Sequence, residues 1–144
     1  MRFFGHPIHT MIIHFPTALL PADLVLSILY FETGNASYGP AAFYCMIGGV
    51  ALGLLAMITG LLDLLLIKKE QKDALAAGLL HGFINAVVII LYGVLAYKAW
   101  QLYPAIVKPA INTLIIKGIA VFILLVGNYI GGTLIYKHRI GIKP

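Results

Sequence analysis

Apolar residues fall into four long stretches separated by short polar breaks, at about Ile8–Tyr30, Phe43–Ile67, Ala74–Ala96 and Ile111–Tyr136. Each is long enough to cross a bilayer core as a helix, which takes about 20 residues. None alternates apolar and polar positions with a period of two, so a membrane β-barrel is not expected. The breaks fit this reading. Glu32-Thr33-Gly34-Asn35-Ala36-Ser37-Tyr38-Gly39-Pro40 is turn chemistry. Lys68-Lys69-Glu70-Gln71-Lys72-Asp73 is a short charged turn, which makes spans two and three an antiparallel hairpin. Trp100-Gln101-Leu102-Tyr103-Pro104 carries the aromatics expected at a membrane edge. The pattern predicts an all-α integral membrane protein: one four-helix bundle over residues 1–144, with no linker and no internal repeat.

Within span one, Pro16 and Pro21 each remove a helix hydrogen bond and bend the axis. At 100° per residue, His9 and Asp23 lie within about 40° of one face, whereas His9 and His14 point about 140° apart. One ligand is therefore not expected to take both histidines. The stretch lacks a small-residue cleavage site and is interrupted by prolines and histidines, so it is not read as a signal peptide. Span two is rich in glycine (Gly48, Gly49, Gly53, Gly60), and span four carries Gly127 and Gly131 four apart. Both patterns suit close helix packing.

Composition agrees with the periodicity. The chain is 61% hydrophobic and only 10% charged, against roughly a quarter charged in soluble domains, so its surface could not be solvated by water. The net charge of +5 is unevenly placed. Arg2, Lys68, Lys69, Lys72, Lys137, Arg139 and Lys143 belong to one side of a four-span topology, against Lys98, Lys108 and Lys117 on the other. The positive-inside rule then puts both termini in the cytoplasm. The basic residues thus speak to topology and lipid headgroups; nothing else supports a nucleic-acid partner. A lone Cys45 in an apolar run reads as a small buried hydrophobe. Hydrolase and NTPase readings find no nucleophile elbow or phosphate loop to rest on.

The chemistry concentrates at the start, in Gly5-His6-Pro7-Ile8-His9-Thr10-Met11-Ile12-Ile13-His14. An imidazole at membrane depth is a functional-site hypothesis by default, because it must face the bundle interior and find a partner. With the termini on one side, His9 and His14 share the inner half of the membrane with Asp63, His81, Asn85 and Asn128. Asp23 stands nearly alone in the outer half. His81 and Asn85, four apart, share a helix face. His6 and His138 sit at the interface.

Four chemistries suit this gathering. A b-type haem could be held by His81 with His9 or His14, its propionates met by Arg2, Lys68, Lys137 or Arg139. A divalent metal ion could be bound by His9, His81 and Asp63. His9, His81 and Asp23 could relay protons or ions. A set of interhelix hydrogen bonds could simply lock the bundle.

Gly5-His6-Pro7-Ile8-His9, Gly60-Leu61-Leu62-Asp63, Leu79-Leu80-His81 through Asn85, and Gly131 through Gly141 resemble, in that order, the prokaryotic membrane-protein family called domain of unknown function 2231. The likeness covers nearly the whole chain. It implies a multi-pass, four-helix protein of the prokaryotic inner (cytoplasmic) membrane, and carries over His6, His9, Asp63, His81, Asn85 and His138 as motif positions. His14 matches less regularly, which favours His9 as the partner of His81. A proline commonly follows the second histidine of the opening motif; here it is Thr10. Some members are fused to Rieske iron–sulfur domains, which implies electron transfer and favours haem b over a metal ion. The expected redox partner is then a separate iron–sulfur protein or a quinone, in a monomer or a homo-oligomer.

Overall fold

In the computed structural model, residues 2–3 and 6–138 are described, with side chains from residue 8 onward. Two short strands, β1 (Arg2–Phe3) and β2 (His6–Pro7), pair antiparallel. Among the described residues, five helices follow: α1 (Ile8–Ile12), α2 (His14–Thr33), α3 (Tyr38–Leu65), α4 (Lys72–Leu102) and α5 (Ile111–Tyr136). Among the described residues, four units, with α1 and α2 counted together, are long and apolar enough to span a membrane.

The break between α1 and α2 has a local cause. Pro16 has no N–H, and its ring crowds the carbonyl four residues back, which is that of Ile12. Helix α1 ends at Ile12, and the chain restarts as α2 with Ile13 at its N-cap. Pro21 is absorbed inside α2. Helix α2 stops at Gly34, whose φ of 67° is a left-handed conformation that glycine adopts without penalty. The Asn35 side-chain oxygen then accepts from the Ser37 N–H at 3.0 Å, turning the chain into α3.

Each of α2 to α5 packs on the next, and α2 also packs on α5, closing an up-down-up-down ring; α1 lies against α3. Two glycines of α3 permit close approach. A Cβ on Gly49 would fall 2.5 Å from Leu20 Cδ2, and one on Gly53 would strike Ile89. The core joins Leu20, Phe43, Met46, Val88, Ile89, Tyr92, Ala120 and Leu124. Large residues such as Phe83, Phe122 and Leu125 point outward. Only 22–33% of each hydrophobic window is buried inside the bundle, so most of the apolar surface faces a lipid solvent. Phe43, Trp100 and Tyr103 stack around the α4–α5 connection, with centroids 5.4 to 6.2 Å apart. An aromatic girdle of this kind marks a membrane edge.

The bundle therefore has two ends. The terminal end carries α1, the α3–α4 turn and the close of α5; the loop end carries the α2–α3 and α4–α5 connections.

Candidate functional site

Toward the terminal end, His9 of α1 and His81 of α4 meet edge to face, with ring centroids 6.2 Å apart and planes 83° apart. Each ring is anchored to the backbone of a third helix. His9 Nδ1 lies 2.9 Å from the Ala56 carbonyl oxygen of α3, and His81 Nδ1 lies 2.7 Å from that of Gly127 in α5. A carbonyl oxygen only accepts, so the hydrogen must sit on Nδ1 in both rings. In the neutral imidazole this leaves the Nε2 lone pair available.

The two anchors share one local device. A helix carbonyl is normally shielded by the side chain four residues further on, on the same face. Four residues after Ala56 stands Gly60, and four residues after Gly127 stands Gly131. A Cβ on Gly60 would lie 2.8 Å from His9 Cε1, and one on Gly131 2.6 Å from His81 Cε1. Both glycines are the seats of imidazoles. Asn85 supports this layer by donating from Nδ2 to the His81 carbonyl at 2.9 Å. Thr59 Oγ1 bonds to the Ala56 carbonyl at 3.0 Å and lies 3.4 Å from His9 Nδ1.

The other candidates fall around this pair. His14 lies on an exposed face of α2, away from His9, as the angular count requires. Asp63 is half-buried in the last turn of α3. His138 lies just beyond α5, beside Glu70, Gln71, Lys72 and Asp73 in a shallow cleft of about 280 Å³. The backbone of His6 pairs in β2, and its side chain lies outside the described residues. Asn128 donates to Thr17 Oγ1 at 3.2 Å, tying α5 to α2. Among the described residues, no three or more His, Cys, Asp or Glu side chains form a group able to hold a metal ion. His9, His81 and Asp63 therefore do not make a three-ligand centre of that kind.

The loop-end half is not bare, and here the sequence reading is corrected. Asp23 does not stand nearly alone there: Lys117 is buried in α5, and its Nζ sits 2.7 Å from Asp23 Oδ1 of α2. Ser27 joins them, accepting from Lys117 Nζ at 2.8 Å and donating to Asp23 Oδ1 at 3.3 Å. Lys117 is six positions into span four, where a long side chain is expected to snorkel. The signal for burial was an acid and a hydroxyl, Asp23 and Ser27, spaced four apart on another span at comparable depth.

The fold and its buried polar layers define an integral membrane protein of the helical-bundle class. The chain belongs to the family described as "Predicted membrane protein (DUF2231)", which it matches over residues 5–144. No curated protein and no solved structure matches it.

Proposed function

We propose that this protein is a membrane-embedded electron carrier that holds a b-type haem between His9 and His81. The carrying observation is the geometry of that pair. His9 and His81, on different helices, come to a ring-centroid separation of 6.2 Å, close enough for both to hold one group. The donor chemistry agrees. A ligating histidine usually gives its other N–H to a carbonyl, which fixes its tautomer and orientation, and both rings do so. Gly60 and Gly131 leave the space these ring positions need.

Bound there, haem iron would supply one-electron chemistry. The chain's own part is to present two neutral Nε2 atoms and to keep water out with the lipid-facing helices. Asn85 holds His81 in register, and Asp63 lies near the terminal end, in the last turn of α3. Lys68 and Lys137 at that end offer cations for the propionates, as do Arg2 and Arg139, whose side chains lie outside the described residues. The excess of basic residues at the terminal end supports a cytoplasmic terminal end in a prokaryotic inner membrane. The electron partner would be a quinone in the bilayer or a separate iron–sulfur protein.

A second reading has its own observation. His9 and His81 already link α1 to α3 and α4 to α5, so they could serve as neutral locks. Expression with ample haem and replacement of single histidines separates the two. The haem reading expects His9→Ala and His81→Ala to lose bound haem while still inserting, and His14→Ala to keep it. If the wild type binds no haem and His81→Ala only loosens the bundle, the lock stands instead. For a metal or relay site using the carboxylate, Asp63→Asn should do as much harm as His81→Ala.

A further inference from the structure

The Asp23–Lys117 pair lies away from the histidine layer and has no part in holding a haem. It joins α2 to α5 inside the loop-end half of the bundle, with Asp23 0% and Lys117 5% exposed. Replacing a buried ion pair with apolar residues of similar size is often neutral or stabilising. A wish for bundle stability alone therefore does not explain why two charges sit at this depth. Paired ionisable groups inside membrane segments typically mark proton or ion pathways.

The two carboxylate oxygens are treated unequally. Oδ1 takes both hydrogen bonds, from Lys117 and Ser27. Oδ2 is buried, and no group among the described residues donates to it. A purely structural clamp would be expected to satisfy both, because an orphaned buried acceptor is costly. With Oδ2 shut off from the surface at atomic scale, the ligand that can reach it without displacing heavy atoms is a proton.

A polar stripe leads from the pair to the loop end. Ser27 and Tyr30 stand four and seven positions after Asp23, on the same face of α2. Tyr30 Oη donates to the Ile106 carbonyl of the α4–α5 connection at 3.2 Å. The titratable neighbours from the remaining helices are Tyr92 of α4 and Cys45 of α3, both of which feel the Asp23 charge. Tyr92 Oη is turned to the Leu20 carbonyl at 3.4 Å.

We propose that Asp23, held by Lys117 and Ser27, is a proton-binding site of the membrane interior that exchanges with the loop end. Uptake forms an O–H bond at Oδ2 and leaves the Lys117 ammonium as a single buried positive charge. Release restores the neutral ion pair. This stands whether or not the histidine layer holds a haem.

The test is infrared difference spectroscopy of the lipid-reconstituted full chain between about pH 4 and about pH 9. The chain has only five carboxylic side chains, so a band can be assigned by single replacement. The expected result is a protonated-carboxyl C=O band that appears reversibly on acidification, shifts in D2O, disappears in Asp23→Asn and moves in frequency in Asp23→Glu. Asp23→Glu keeps the carboxyl and guards against an Asn variant that fails to fold. Lys117→Met should retain the band to higher pH, because the cation that favours the carboxylate is gone. A spectrum in which every pH-dependent carboxyl band survives Asp23→Asn or is unmoved by Asp23→Glu, or in which none appears, overturns the proposal.

Discussion

Gly131 stands where any side chain would strike the ring of His81: a Cβ there would lie 2.6 Å from Cε1 and 2.8 Å from Nδ1. The same ring nitrogen bonds the Gly127 carbonyl one turn back. One missing methyl group thus makes room for the ring and opens the carbonyl that orients it. Gly60 does the same for His9 and the Ala56 carbonyl. Two helix faces solve the same problem in the same way.

Gly131→Ala and Gly60→Ala should each destabilise the bundle by about 1–3 kcal/mol, the usual cost of overpacking, and should displace the imidazole they meet. Gly82→Ala and Gly93→Ala face open space and should be neutral or slightly stabilising, since alanine is the better helix former by about 1 kcal/mol. Unfolding in mixed micelles measures all four. Equal effects at the two kinds of site would contradict the seating role.

The buried pair should show strong coupling. Lys117→Met alone strands a carboxylate and should cost about 3–5 kcal/mol, whereas the double replacement Asp23→Leu with Lys117→Met should recover most of that loss. A double-mutant cycle on unfolding free energies reads the coupling directly. Additive single effects would mean that the two charges do not sense one another.

Asn128→Val removes the donor to Thr17 and should cost about 0.6 kcal/mol, the average for an interhelix hydrogen bond in lipid. Asn85→Ala should act differently. It frees the His81 carbonyl, so its main effect should fall on the histidine layer's ligand occupancy. Comparing stability with occupancy for the two variants tests this division.

With no three-ligand group of His, Cys, Asp or Glu among the described residues, treatment with a strong divalent-metal chelator should leave the unfolding transition where it was. A clear destabilisation that zinc or manganese reverses would return weight to a metal site.

Much of this was legible from the residues. The fourth helix runs Ile111–Tyr136, as its apolar stretch does. Helix α3 begins earlier than its apolar run, at Tyr38, because Pro40 sits in the first turn, where a missing N–H costs nothing. Helix α4 extends to Leu102 through its interfacial aromatics. Depth grouped His81 with both His9 and His14, the family resemblance favoured His9, and the divergence of His14 followed from the helical angle. The burial of Lys117 was not legible because a single lysine near a span's end normally reaches water; only its partner on a distant helix makes burial tolerable. The seats at Gly60 and Gly131 were read as helix packing, since nothing in one helix tells which side chain of another fills the gap.

The most direct measurement is the visible spectrum of the purified protein, made with ample haem and recorded oxidised and then dithionite-reduced. A Soret band with sharp reduced α and β bands, lost in both His9→Ala and His81→Ala, is the result the His9–His81 assignment predicts. A colourless wild-type protein, folded and inserted, would contradict it and leave the two imidazoles as interhelix locks.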